Sequence, residues 1–556
     1  MKAIPVLSAI NTRHKAGWAV FLLTGILLVW GCGPSPEEAA SAADKRIYGA
    51  IEKATKKAGL EQNDYYRLDD PNQREAVRAV LPQNSVLTLT QAAAMAVTYN
   101  RDYLLERDNL FQLASGVTDI QHLYEIIPGG SIQEDYLRQD GQETVGTAGG
   151  LGLGLRQLLA AGTQVGANLS LTCFDLLSGG DGSIKSGFAS VFSATVTQPL
   201  LRGASRKAVL ETLTQAERDL LYQIRYFNRY RKTFLVTVLQ TYYETLQFYD
   251  QMNNARRYYL TLAEIHRQTQ KQAAVGRVPL FEVEQTYQDQ LDALNTYIDL
   301  RNDYGQMLDT LKTMLAIRPD TELVLDIQEL EALKAFDFAE LNFSEEAAIQ
   351  AALNQRLDLA NAADRVLDAQ RHVEIAAEML GADLALIGTT SVGSFGASPD
   401  DLRRTEDMYN LSLRMDLPLD RKAEQNRYRL TLAELMQNQR THQGITDQVI
   451  QEVRSAFRNL RTAHEQYRLA LNAQELAQKR MHNTLRLQKV GRANMRDVLD
   501  AHEDYYEAQE NATDALVEYA VAALNLYLAT DTLKVQPDGQ LLKSADSFGN
   551  SMPNNN

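Results

Sequence analysis

The sequence predicts a mainly α-helical chain with a transmembrane β part, organised as two repeats of helix-strand-strand-helix. Two stretches, about 204–315 and 420–530, are nearly free of Gly and Pro and rich in Ala, Leu, Gln, Glu and Arg, as long helices and coiled coils are. Around them lie segments whose polarity alternates with a period of two, the pattern of half-buried strands. Landmarks recur in the same order at nearly constant offset, which points to a duplication rather than a string of unrelated domains.

The chain opens on a secretory leader. A basic start (Lys2, Arg13, Lys15) precedes an apolar run from Gly17 to Gly31 that ends at Cys32. That run is shorter than the roughly 20 residues a membrane helix needs, so it reads as a signal rather than a span. Val29-Trp30-Gly31-Cys32 resembles a bacterial lipobox, with Trp30 standing where a small residue is usual. Residues 1–31 are the expected signal peptide and Cys32 the expected lipidation site. An ordinary signal peptide that happens to end beside a cysteine is the alternative. Gly33, where some bacterial lipoproteins carry Asp, resembles the class sorted to the outer membrane. Cys173 has no partner if Cys32 is modified, so no disulfide framework is expected.

Net charge is −15, and the leader holds three of the cations with no acid, so the mature chain is more acidic still. This balance argues against a nucleic-acid partner, because a phosphate backbone requires a basic face. Beyond the leader no run of 18 apolar residues occurs. Any crossing of a membrane therefore has to use strands in a closed barrel, since lipid cannot satisfy open backbone groups.

The repeat is read from three landmarks. Val275-Gly276-Arg277 returns as Val490-Gly491-Arg492, Gln198-Pro199-Leu200 as Leu417-Pro418-Leu419, and Asn100 as Asn354. They divide the chain into a leader region 32–84, a first repeat 85–320, a linker 321–340, a second repeat 341–533 and a disordered tail 534–556. Each repeat is expected to begin with a helix of about 35 residues, Leu89 to about Ile126 and Ser344 to Leu380. The strand region follows, then a helix of about 70 residues starting near Pro199 or Pro418, the Val-Gly-Arg turn, and a last helix of about 35. About 70 helical residues span roughly 105 Å, taller than a compact domain. Val449, Val453, Ala456, Leu460, Ala463, Tyr467 and Ala470 form one 4-3 seam. Leu235, Leu239, Tyr242, Leu246 and Tyr249 form another, beside Leu220, Ile224, Phe227, Phe234 and Val238, a line interrupted by Arg231. Two seams on one helix call for neighbours on both sides, as in the wall of a tube.

Four strands are read per chain: around 164–173, around 192–197, Leu384–Phe395 and Tyr409–Leu417. Leu151-Gly152-Leu153-Gly154-Leu155 either lengthens the first of these or forms a further hairpin. Four strands cannot close around a water-filled lumen, and exposed edges in lipid are prohibitive. Three copies in cyclic symmetry would supply a 12-stranded β-barrel on a long α-helical coiled-coil barrel.

The order and spacing of "LTLTQAAAMAVTYN", "TQPLLRG", "LRMDLPLDRKAEQNRYR" and "VGRANMRDVLDA" resemble the TolC-type outer-membrane efflux proteins over about 85–533. The resemblance implies a homotrimeric exit duct of a tripartite efflux or type I secretion system. Its partners would be a periplasmic adaptor protein and an inner-membrane transporter. Its place would be the cell outer membrane, lipid-anchored and extending into the periplasm. It implies that Asp497 and Asp500, with Glu282 after the first turn, ring the periplasmic entrance. The family's gate arginine falls one position after Arg492, the nearest match here. The turns Val275, Gly276, Arg277 and Val490, Gly491, Arg492 are the implied adaptor contacts. Pro199 and Pro418 are the implied bends from barrel to helix.

Asp497 and Asp500 stand three apart on one helical face, where gathered carboxylates would favour cations. They also suit a first helical turn, with Asn494 and Asp497 as N-cap and N3, so a purely structural role stays open. No cofactor and no metal site is expected, and no enzyme. His502-Glu503 does not continue into HExxH, and Gly150, Gly152 and Gly154 alternate within a strand rather than cradling a phosphate. An envelope lipoprotein or a periplasmic adaptor without channel activity is the competing class.

Overall fold

The computed structural model describes residues 34–60, 86–139, 144–177, 184–335, 344–396, 402–417 and 419–535. Cys32, the lipobox and Pro418 lie outside them, as does nearly all of the expected tail. Two compact units interleave along the chain. One takes the segment up to Leu60, Gln112–Leu221 and Leu367–Met436; the other takes Glu61–Phe111, Tyr222–Val366 and everything from Gln437.

The first unit holds a six-stranded antiparallel sheet: β2 (Ile127–Gln139), β3 (Thr144–Leu158), β4 (Gln164–Leu177), β5 (Ile184–Pro199), β7 (Asp383–Gly396) and β8 (Arg403–Asp416), hydrogen-bonded in that order. Among the described residues this sheet therefore has six strands, where four were expected. The segment around Leu151 is not an extension of β4; it is β3, paired along its length with both β2 and β4. Gly at every second position erased the polar half of the alternation there, and Pro128-Gly129-Gly130 at the start of β2 reads locally as a breaker. In the single chain the sheet is open, with β2 and β8 at its edges.

The register lines up apolar residues of all six strands on one face, with Ser190, Thr390 and Asp407 among them. Ile132 sits opposite Leu151, Leu151 opposite Leu171, Leu169 opposite Phe192, and Phe192 opposite Val392. Leu386 then faces Leu413, and Leu384 faces Met415. Leu411 is 75 % and Tyr409 70 % exposed, so this face is bare. On the other face Ser131, Asn168, Ser193, Ser391 and Asn410 stand in the alternate positions. At the base of the sheet the β3–β4 turn places Gly162 at φ +78°, and a Cβ there would come within 2.9 Å of Pro199. Only glycine suits both demands. Pro199 is the last residue of β5, and the chain leaves it through Leu200, whose N–H donates to Leu384 O at 2.7 Å.

Also in this unit, α1 (Pro36–Lys57) starts at a capping box between Ser35 and Glu38 and buries Ile47, Ile51 and Ala54. Its Lys53 stands 3.5 Å from Glu217.

The repeat is plain in the helices. α2 (Leu89–Tyr99) and α3 (Arg101–His122) are 11 and 22 residues long, as are α8 (Glu345–Gln355) and α9 (Leu357–Glu378). The single helix expected at the start of each repeat is thus broken by one extended residue, Asn100 (ψ 131°) in the first and Arg356 (ψ 120°) in the second. The counterpart of Asn100 is Arg356, not Asn354. Both breaks are tied by buried polar side chains: Asn100 donates to Met314 O at 2.8 Å and accepts from Tyr103 N, while Arg356 donates to Asp358 and Glu452. The motif-like "N" in both segments favoured the wrong alignment, whereas the break itself is set by tertiary partners.

The short helix α4 (Arg206–Val209) follows β5, and the long helix α5 runs from Glu211 to Ala274 without interruption. Its counterpart α10 runs from Lys422 to Lys489. At 64 and 68 residues they are about 96 and 102 Å long. Each is followed by a helix of 35 residues, α6 (Leu280–Met314) and α11 (Met495–Ala529). The seam residues Val449, Val453, Leu460 and Ala463 are buried, Val449 and Val453 against Ala348 and Ala352, Leu460 and Ala463 against Tyr519, Ala523 and Leu526. Leu235, Leu239, Tyr242 and Leu246 are buried too. One α10 seam thus meets two different helices.

The stretch between the repeats also contributes to the second unit. Val86–Leu87 (β1) pairs in parallel with Val324–Leu325 (β6), and α7 (Gln328–Ala335) follows. Leu87, Leu325, Leu330 and Leu333 join a core with Val238, Tyr242, Leu311 and Leu516. The Tyr242 hydroxyl donates to Leu87 O at 2.8 Å. Among the described residues no helix is long and apolar enough to cross a membrane.

Candidate functional site: the paired turns and the acids beside them

Both Val-Gly-Arg turns close their helices in the same way. Gly276 (φ 72°) and Gly491 (φ 73°) adopt the left-handed conformation that glycine tolerates without strain. Arg277 N–H donates to Gln272 O and Arg492 N–H to Leu487 O, each at 2.9 Å, the six-to-one bond of a Schellman cap. Val275 and Val490 are 69 % and 68 % exposed, and Leu280 and Phe281 beside the first turn are exposed as well. Arg277 and Arg492 lie on the surface. The same cap recurs at the other end of α6 and α11, with Ala316 (φ 55°) and Asp531 (φ 59°) left-handed. Those two were missed in the sequence, because neither residue is the usual glycine.

Just beyond the second turn Asn494 caps α11. Its Oδ1 accepts from Asp497 N at 2.8 Å, and its own N–H donates to Asp497 Oδ2 at 3.0 Å. The capping-box alternative raised for Asp497 is therefore realised, and one carboxylate oxygen is engaged by it. Asp500 lies one turn on, also exposed. Glu282, in the first turn of α6, is half-buried.

The acid of α6 that feels Asp500 is Asp289. Burial, then Asp292 and Asp500, push its pKa up. Glu503 is raised for the same first reason, with Glu507, Asp289 and Asp500 adding to it. The acidic group at this end thus comprises Asp289, Asp292, Asp500, Glu503 and Glu507 rather than the first-turn residues alone. Sequence could have found Asp289 and Glu503 from their place three residues or two turns along the same helical faces. Beneath them Leu262, Ala293, Met495, Val498 and Leu499 form an apolar cluster that ties α5, α6 and α11 together. Tyr258 stacks on Tyr506 at 4.8 Å with the rings nearly parallel. Among the described residues no cluster of His, Cys, Asp and Glu is arranged to hold a metal ion.

No protein-family model matches the sequence, and no curated protein matches it either. Solved structures do. The CmeC outer membrane channel of Campylobacter jejuni superposes with a TM-score of 0.58 at 15 % identity, covering 80 % of this chain and 85 % of that one. The MtrE outer membrane channel of Neisseria gonorrhoeae, in its open state, gives 0.58 at 14 % identity, covering 80 % and 88 %. The outer membrane protein VceC of Vibrio cholerae gives 0.57 at 13 % identity, covering 80 % and 95 %. Sequence identity this low leaves the backbone path as the shared property. The chain has the fold of bacterial outer-membrane channel proteins.

Proposed function

We propose that the protein is an outer-membrane channel, the exit duct of a tripartite efflux or type I secretion system, working as a homotrimer. The observation that carries this reading is the sheet: a mainly apolar, exposed face and a more polar one over six strands, in a chain with two repeats of long helices. A bare apolar face of this kind is stable in lipid, and a polar one suits a water-filled lumen. Cys32, by its lipobox-like context, would anchor the chain in the same membrane.

The exposed turns at Val275-Gly276-Arg277 and Val490-Gly491-Arg492 would receive the periplasmic adaptor of an inner-membrane transporter, with Val275, Val490 and Phe281 as apolar contacts. Pro199 and Pro418 would mark the passage from barrel to helices. Asp497 and Asp500, with Glu282, would line the periplasmic entrance and bias it toward cations, and Arg492 would stand beside them.

Planar-bilayer recording of the purified protein tests the reading. A water-filled channel with cation preference is expected, and the double variant Asp497→Asn/Asp500→Asn should lower that preference. Asn is chosen because its amide oxygen can still accept from Asn494 N. A chain that opens no conductance in bilayers would be a spacer or adaptor instead. A conducting channel with unaltered selectivity in the double variant would remove the gate assignment alone.

A further inference from the structure

Six strands per chain change what a closed barrel must be. β3 occupies the outer edge of β4 over fourteen paired residues, Val145–Leu158 against Gln164–Leu177. That edge cannot also receive a strand from another copy. Among the described residues the free edges of this six-stranded sheet are those of β2 and β8. β2 has 13 residues and β8 has 14, so the two edges are matched in length. With six antiparallel strands, β2 and β8 run in opposite directions, and β8 of one copy can add antiparallel to β2 of the next. An unpaired strand edge in lipid costs several kcal/mol for each open group, so a single open sheet is not a stable membrane form.

β3 also has the face pattern of a barrel wall, and Ile132 of β2 joins it. Ile132, Leu151, Leu153 and Leu155 continue the apolar face of β4, and Ile132 and Leu153 are 60 % and 52 % exposed. On the polar face Gly150, Gly152 and Gly154 leave room that polar neighbours fill. A Cβ on Gly152 would meet Ser131 Oγ at 2.6 Å, and one on Gly154 would meet Asn168 Oδ1 at 3.4 Å. Side chains of β2 and β4 therefore lean over a bare β3, and the hairpin is packed into the sheet as a fifth and sixth strand.

We infer that this chain contributes all six strands to the shared barrel, so that three copies close an eighteen-stranded barrel through β8-to-β2 contacts, half as many strands again as the twelve expected from four. The inference rests on the trimeric channel reading. With strands about 4.8 Å apart and tilted by about 40°, twelve strands give a backbone cylinder about 24 Å across and eighteen give about 36 Å. Barrels of 16–18 strands leave an open aqueous channel. The outer-membrane section would then pass solutes too bulky for a twelve-stranded section, and selection by size would fall to the helical part.

Electron microscopy of the full-length protein in lipid nanodiscs counts the strands directly. Eighteen strands in a threefold particle are expected. A threefold particle with twelve, the β2–β3 hairpin lying outside the wall, overturns this inference and leaves the channel reading standing. A particle without a barrel overturns both. Cross-linking gives an independent answer in a Cys173→Ser background. Ser131→Cys combined in turn with Asn410→Cys, Ser412→Cys or Arg414→Cys should give reducible inter-chain bonds for at least one pair. A bond between Ser170→Cys and Ser412→Cys instead would put β4 beside β8 and overturn it.

Discussion

Glu510 gives the helical unit a dependence on pH that can be measured. Its half-buried carboxylate lies on α11, where burial pushes its pKa from 4.5 up to about 7. Hydrogen bonds from Asn254, at 3.3 Å, and Tyr506 favour the charged form, while the nearby Asp514 and Asp250 carboxylates add to the rise. The folded chain therefore holds this proton more tightly than the unfolded chain. The stability it contributes is complete below about pH 4.5 and is lost as pH climbs through about 7. At about 1.36 kcal/mol per unit, that shift corresponds to roughly 3 kcal/mol. Solvent reaching a half-buried group brings the expectation down to about 1.5 kcal/mol. Glu510→Gln keeps the shape and stays neutral, so at pH 8 it should be the more stable protein by about that amount. At pH 5 the advantage should shrink to about a quarter. Amide hydrogen exchange over α11 in detergent-solubilised protein reads the difference, corrected for the intrinsic rate at each pH. Background titrations common to both proteins cancel. If the two exchange in parallel from pH 5 to 8, burial is not what raises this carboxylate, and the reasoning fails.

Gly491→Ala meets no atom within 4 Å, so its only penalty is the left-handed backbone, about 1 kcal/mol; denaturant unfolding of the pair should show a small loss. Tyr242→Phe removes the hydroxyl that donates to Leu87 O, which still accepts from Asp326 N, and should lower stability by about 1 kcal/mol in the same assay. Leu311→Ala opens a void in the fully buried core around Leu87 and Tyr242 and should lose about 2–5 kcal/mol, visible as a clearly lower thermal midpoint.

The helices were legible because their determinants are local and periodic. The seam from Val449 to Ala470 repeats at heptad spacing, and Val449, Val453, Leu460 and Ala463 of it are buried in the structure, while Ala456, Tyr467 and Ala470 are half-buried. The Val-Gly-Arg turns were legible for a similar reason: Gly276 and Gly491 mark a conformation that few other residues adopt. The cap at Asn494 could also be read, since its partner lies three residues away.

What escaped were features whose partners are distant in sequence. Arg356 interrupts a helix because Glu452, 96 residues on, helps to hold it, and nothing in "LNQRLD" marks the break. β3 hid because its glycines carry no polarity, and its membership of the sheet became visible only when Leu151 and Leu153 were set opposite Leu171 and Leu169. Asp289 lies two turns beyond Glu282 on a face that sequence shows, but its nearness to Asp500 comes only from the folding of α6 against α11.

Sequence by itself determined that the chain is a duplication with two very long helices, exposed glycine turns and strands of alternating polarity, since periodicity and glycine conformation are properties of short windows. Tertiary structure alone decided how many strands pair, which edges stay free and which acids meet, because strand register and helix contact are agreements between segments that no single window contains.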